Sequence, residues 1–291
     1  MNFQTAILPH KTYDEMAAEF LPNLLNYYKN PVAYALPPFR IFGNLYYVGD
    51  KQVCSHLVDT GEGLVLFDSG YAHTAHLLVR NIRTLGFRPE DIKFVIHSHG
   101  HFDHFGASVR LKELYGCKLC MGRADADRLR ENPAAALMAL GPEPYGPIPE
   151  TDVALEDGDS IVLGNTRIHC VSAPGHTEGV MAFFFDATDG TESKRVGYFG
   201  GVGFFTMYKE HLAQYGLPQY MPERMWETIQ RLKKMDPEIT LGNHPANNKT
   251  VERRLYMGEH PSENPFLDAS VWKEQLRVLE LRLADFISKK Y

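Results

Sequence analysis

Residues Val95–Gly106 read VIHSHGHFDHFG, with His97, His99, His101 and His104 crowded around Asp103. The run before them, DIKFVI, is β-prone, and a helical pattern starts near Ala107, so the cluster occupies a strand-to-helix loop. Alternation along an extended segment puts His99 and His101 on one side. The turn that follows brings Asp103 and His104 to a neighbouring position. Imidazoles and a carboxylate at this density are costly to desolvate unless they bind something. Nitrogen and oxygen donors of borderline softness suit zinc better than iron or manganese. The competing reading is a polar surface loop that happens to be rich in histidine. Two downstream segments count against it. SAPGHTEG (172–179) presents His176 after a Pro-Gly turn, and TLGNHP (240–245) presents His244 in the same way.

Composition narrows the setting. The 291 residues are 44% hydrophobic and 23% charged, which is ordinary for a globular protein and incompatible with a disordered chain. The net charge of −6 and the absence of long Lys/Arg runs argue against a nucleic-acid partner. No stretch approaches the roughly 18 apolar residues of a membrane helix. The N-terminus lacks the basic-then-apolar pattern of a secretory signal, so the expected location is cytoplasmic. Cys54, Cys117, Cys120 and Cys170 are too few and too scattered for a disulfide scaffold.

The periodicity predicts a first helix over Tyr13–Tyr28 and a Pro-rich connector. Short strands follow in IFGNLYYVGD, CSHLVDT and GLVLFDSG. A helical stripe (Ala75, Leu78, Val79, Ile82, Leu85) leads to the strand before the cluster. Beyond it come a helix at Ala107–Tyr115, the strand CKLCM and a helix at Ala124–Leu129. A Pro/Gly-rich loop then precedes the strands TDVALEDGD, SIVLGNTRIHCVSAPG, GVMAFFFDAT and KRVGYFGG. Helices are expected at Pro222–Lys234 and Ser270–Lys289, with the strand EITLGNH between them. This β-rich, α, β-rich, α order predicts an α/β fold with two sheets face to face and helices outside, the αββα sandwich. One domain is expected over 1–291, with its core at about 41–245, an N-terminal helical extension over 1–39 and a helical tail over 246–291.

His99-x-His101-x-Asp103-His104, followed by the distant His176 and His244, resembles the hallmark of the metallo-β-lactamase superfamily across about residues 41–245. The resemblance implies the αββα fold and two zinc ions. It places His99, His101 and His176 on the first ion and Asp103, His104 and His244 on the second. Asp68, in LFDSG, matches a carboxylate that supports the metal site from outside the ligand set, where metal-bound imidazoles usually donate their second N–H. Asp103 is also the expected catalytic group, orienting the nucleophile and relaying its proton.

One departure narrows the function. Many hydrolases of this superfamily carry a Gly-Asp pair whose aspartate bridges both metals, and Gly201 stands in that place. Two such triads without a bridging carboxylate or a ligand cysteine resemble subclass-three metallo-β-lactamases. The implied activity is zinc-dependent hydrolysis of a carbonyl in a small-molecule substrate, most simply opening of a β-lactam-like amide ring. A lactonase or thioesterase is the alternative within the class, and a metal-binding protein with little turnover is the alternative outside it. Tyr71 and Tyr145 are expected at the rim of the substrate pocket. His97 and His56 could support the site or simply pack. Cys117, Cys120, Cys170, Trp226 and Trp272 are expected to be core residues. The sequence leaves the oligomeric state open.

Overall fold

The computed structural model describes residues 11–141 and 147–289. A seven-stranded sheet runs in the order β1 (Phe39–Phe42), β2 (Leu45–Tyr47), β3 (His56–Asp59), β4 (Leu64–Phe67), β5 (Ile92–Ile96), β6 (Lys118–Gly122) and β7 (Val153–Leu155). A five-stranded sheet contains β8 (Ser160–Leu163), β9 (Thr166–Ser172), β10 (Met181–Thr188), β11 (Ser193–Tyr198) and β12 (Ile239–Leu241), in the order β12-β11-β10-β9-β8. The helices are α1 (Tyr13–Lys29), α2 (Ala75–Thr84), α3 (Phe102–Phe105), α4 (Ser108–Tyr115), α5 (Arg123–Glu131), α6 (Lys209–Gln214), α7 (Met221–Leu232), α8 (Pro245–Asn248), α9 (Thr250–Glu259) and α10 (Ser270–Ser288).

The layering follows from strands that are apolar on both faces. On β10, Met181, Phe183, Phe185 and Ala187 point between the sheets, while Ala182 and Phe184 point to the outer helices. On β4, Val65 and Phe67 face inward, and Leu64 and Leu66 face outward. Successive residues alternate faces in a strand, so a run without polar positions needs cover on both sides. Helix α2 (Leu78, Ile82) and α4 (Leu111) cover the first sheet. Helices α7 (Met225, Ile229) and α10 (Trp272, Leu276, Leu283) cover the second. The expected αββα order is therefore present.

The inner core ends in an aromatic run that reaches the histidine loops. Phe67 stacks on Phe185 with ring centroids 5.4 Å apart and packs at the same distance against Tyr198. Tyr198 is the last residue of β11, and its hydroxyl emerges beside Asp68 at the end of β4. Strands β4, β5 and β6 are parallel, so their carboxyl ends lie together. Parallel β12 brings Asn243 and His244 to the same edge from the other sheet. Helix α1, capped by a reciprocal Thr12–Glu15 box, is tied down at both ends. Tyr13 stacks on Phe205 at 4.9 Å, and the Tyr27 hydroxyl bonds the buried Asp50 carboxylate.

Several sequence expectations shift. IFGNLYYVGD splits into β1 and β2 around Gly43 and Asn44, and α6 and α9 are additional helices. Trp272 is buried with its indole N–H donated to the Leu232 carbonyl at 3.0 Å, but Trp226 is 37% exposed and is not core. Cys117 and Cys120 pack on opposite faces of the first sheet, and Cys170 lies between the sheets; all four thiols are free and buried. No described helix is long and apolar enough to cross a membrane.

Candidate metal centre

His99 and His101 follow β5, Asp103 and His104 lie in α3, His176 follows β9 and His244 follows β12. Two groups of donor atoms result, His99–His101–His176 and Asp103–His104–His244, each with its atoms within 4.8 Å of one another. In the first, His99 Nε2 and His176 Nε2 approach His101 Nδ1 at 2.8 and 3.1 Å. In the second, one Asp103 oxygen lies 3.2 Å from His104 Nε2 and 3.4 Å from His244 Nε2. The sets adjoin: the rings of His99 and His104 are 4.4 Å apart.

The outward nitrogens are occupied by oxygens, which fixes the tautomers. His176 Nδ1 meets the Gly203 carbonyl at 2.8 Å, and His244 Nδ1 meets the Gln52 carbonyl at 2.8 Å. His104 Nδ1 donates to Asp68 at 2.9 Å, and His99 Nδ1 faces Ser98 Oγ at 3.0 Å. Each of these four rings therefore turns its Nε2 toward the shared centre, the arrangement that orients and strengthens a metal-binding imidazole, while His101 presents Nδ1.

Asp68 lies beneath both groups. It is fully buried, with φ +52°, a left-handed conformation that aspartate tolerates better than most residues. Its carboxylate accepts from Ser98 N–H (2.7 Å), Ser98 O–H (2.8 Å), His104 Nδ1–H (2.9 Å) and Tyr198 O–H (2.6 Å). Burial pushes its pKa up, but His104 and these donors hold it below the usual carboxylate range. Because Ser98 also meets His99, this one carboxylate reaches the first triad through a serine and the second directly.

The electrostatics suit cation binding. Burial, reinforced by neighbouring imidazoles, holds His99 and His101 well below the ordinary histidine range. Burial takes His176 down to about 4 and also lowers His244. These rings are neutral at pH 7 and carry lone pairs. His104 is the opposite case: burial would lower it, but Asp103 and Asp68 together push it up to about 10. Burial likewise opposes ionisation of Asp103, and His104 and His244 overcome it to keep the group an anion. The second triad thus draws positive charge between two carboxylates, which a bound cation can satisfy.

The remaining sequence candidates fall as follows. Tyr71 is 4% exposed, with its ring edge-on to Tyr27 at 5.2 Å and to Phe102 at 5.3 Å. Its location is inside the aromatic packing under α1 rather than on a pocket rim. Tyr145 lies outside the described residues. His97 is buried, bonded to the Cys120 carbonyl (2.9 Å) and Ser108 Oγ (2.6 Å), and braces α4 instead of facing the donors. His56 packs edge-on between Tyr47 and Tyr198. A Cβ on Gly201 would lie 2.7 Å from Val180 Cγ1, so packing leaves no room for a side chain there. Sequence reasoning missed Asn243, which is fully buried with Nδ2 3.3 Å from Ser98 Oγ and from His104 Nε2.

With this geometry in hand, likenesses to known proteins are informative. Residues 48–189 match the family model of the metallo-beta-lactamase superfamily. Native FEZ-1 metallo-beta-lactamase from Legionella gormanii superposes with a TM-score of 0.79 at 26% identity, over 88% of this chain and 97% of that one. BJP-1, a subclass B3 metallo-beta-lactamase of Bradyrhizobium japonicum, gives 0.75 at 25% identity, over 88% and 96%.

The chain belongs to the metallo-β-lactamase superfamily.

Among sequence relatives, a hydroxyacylglutathione hydrolase of Hyphomonas neptunium is 26% identical over 187 residues, 64% of this chain and 60% of that protein. The chain therefore spans less than two thirds of that relative's length. The solved neighbours and sequence relatives named above are hydrolases by name, and the protein is a metallo-hydrolase of this superfamily.

Proposed function

We propose that the protein is a dinuclear zinc hydrolase that opens cyclic amides in the manner of a β-lactamase. In this reading His99, His101 and His176 hold one ion, and Asp103, His104 and His244 hold the other. The observation that carries it is the pair of adjoining three-donor sets in which His99, His104, His176 and His244 have their second nitrogens pinned by oxygens. Imidazole nitrogens with one carboxylate oxygen form a donor set that zinc accepts, and a bound cation would displace the proton that His104 holds between Asp68 and Asp103. When bound, such ions polarise a carbonyl and bring the pKa of water from 15.7 to about 7.

The chain's own groups then do the following. Asp103 is ionised, 14% exposed and poised against both His104 and His244. It orients the attacking water and accepts its proton. That proton passes to the leaving nitrogen as the C–N bond breaks and the carbonyl carbon gains the water oxygen. His176 and His244 also line a cleft of about 330 Å³, with Phe204 and Tyr208 as apolar walls and Asn247 and Arg282 as polar ones. The Arg282 guanidinium lies 5.0 Å above the Phe204 ring in the wall of that cleft.

The B3 likeness of BJP-1 and the lack of room at Gly201 favour the amide reading. The Hyphomonas relative favours a thioester substrate as the second reading. The test is steady-state hydrolysis of a chromogenic cephalosporin by zinc-loaded protein, beside a chelated control and a thioester assay. Chelator-sensitive kcat/KM above about 10⁴ M⁻¹s⁻¹ on the cephalosporin, within the ordinary enzyme range, supports the lactamase reading. Zinc-dependent turnover confined to the thioester transfers the assignment to that substrate. Two bound zincs without turnover of any carbonyl substrate defeat the hydrolase mechanism.

A further inference from the structure

The first triad is drawn from two chain segments far apart in sequence, 99–101 and 176, and a single side chain joins them. Asp125 sits in the first turn of α5, is 4% exposed and belongs to neither triad. Its Oδ2 accepts from the Gly100 N–H at 2.7 Å and from the Thr177 hydroxyl at 2.7 Å. Its Oδ1 accepts from the Gly179 N–H at 2.8 Å. Gly100 lies between His99 and His101, and Thr177 directly follows His176. The contact is close: a Cβ on Gly179 would lie 2.4 Å from the Asp125 nitrogen and 2.6 Å from its Cγ, so only glycine fits there.

We infer that Asp125 is a positioning residue for the first triad, a carboxylate bracket setting the separation of the His99/His101 loop from the His176 loop. This inference rests on the assignment of those histidines as metal ligands. The chemistry requires an ionised carboxylate. Both oxygens accept, and every partner is a donor, so an amide would set its NH₂ against a backbone N–H or a hydroxyl. A buried donor left unpaired costs about 1–3 kcal/mol, which the segment relieves by moving. Misplacing one loop separates donors that must converge. Among the described residues no hydrogen bond joins Asp125 to the second triad, whose loops are held by Asp68 and the Gln52 carbonyl. The bracket therefore acts on one ion only.

The experiment compares the parent, Asp125→Asn and Thr177→Val by zinc titration against a chromophoric chelator, with cobalt(II) substitution and thermal unfolding in parallel. Asp125→Asn is expected to weaken one of two zinc steps by roughly 10–100-fold and leave the other unchanged, as loss of a ligand-orienting partner does. Its cobalt visible bands for the all-nitrogen site should shift or fade. Thr177→Val removes one of the three bonds and should move the same step in the same direction by less. If Asp125→Asn fails to fold, Thr177→Val carries the test alone. A variant with lowered Tm but parental zinc steps and cobalt spectrum would overturn the inference, leaving Asp125 a fold-stabilising residue. A parent without a zinc step at the all-nitrogen site would instead overturn the ligand assignment on which it depends.

Discussion

The two triads face each other across a few ångströms, yet they are built differently. The first is all nitrogen, and its His99 and His101 are buried to 1% and 5% exposure. The second contains a carboxylate, and its His244 side chain is 39% exposed on the loop after β12. His104, by contrast, is fully buried between Asp68 and Asp103. One set is thus neutral throughout, with His176 its least buried member; the other pairs a locked imidazole with a ligand near solvent.

The strongest way to break this comparison is to remove one donor from each set. His101→Ala and Asp103→Ala are each expected to lose at least two decades of kcat, roughly 3 kcal/mol of transition-state stabilisation. They should differ in metal content. His101→Ala should retain zinc at the second set, and Asp103→Ala at the first. Near-parental rates in zinc-replete Asp103→Ala would remove its role in moving the proton.

Asp68→Asn probes what the triads share. The parent carboxylate accepts four hydrogen bonds and reaches His104 directly and His99 through Ser98. An amide there leaves donors facing donors, so both zinc steps should weaken, by roughly 10–100-fold at the second triad and less at the first. Loss of the buried partner of His104 should also lower Tm markedly. A change confined to one step would show that Ser98 does not transmit support to His99.

The contrast between these sites also explains what the sequence made legible. The six proposed ligands stand out because imidazoles and a carboxylate after strand ends are unusual residue types in a recognisable order. Asp125 does not stand out. Its partners are two backbone N–H groups and a hydroxyl from distant segments, and an acid in a first helical turn is common for reasons of dipole and capping. Asn243 is hidden for the same reason. The four layers are legible from β4 and β10, where both faces are apolar. Helix α9 was not distinguished within the expected helical tail because its apolar stripe is weak, with Leu255 62% exposed. Trp226 misled because a large aromatic on an amphipathic helix is expected to face inward, and this one sits at the edge of the buried stripe.

Gly201→Asp tests why no carboxylate lies between the triads. Its Cβ would overlap Val180, so the substitution should cost about 1–3 kcal/mol as overpacking. Combining it with Val180→Ala should recover part of that loss, read as non-additivity of the unfolding free energies. Strict additivity would show that Val180 is not what excludes the side chain.

The smallest expected effect at neutral pH lies beyond both triads. His56 is 1% exposed, and neither ring nitrogen has a hydrogen-bond partner among the described residues. Burial takes its pKa down to about 3, against an ordinary value of 6.5. The unfolded chain therefore binds a proton at His56 below pH 6.5 while the folded chain does not. Stability at this position is complete above 6.5 and is lost as the pH falls toward 3, by about 1.4 kcal/mol per pH unit well below 6.5. His56→Leu, similar in volume and without a titrating group, should match the parent closely at pH 7.5 and exceed it progressively in acid. Both proteins carry the same triads, so titration of the metal centre cancels in their difference. Unfolding free energies followed from pH 7.5 to 5 would give diverging curves, and parallel ones would mean that His56 accepts a proton without loss of the fold.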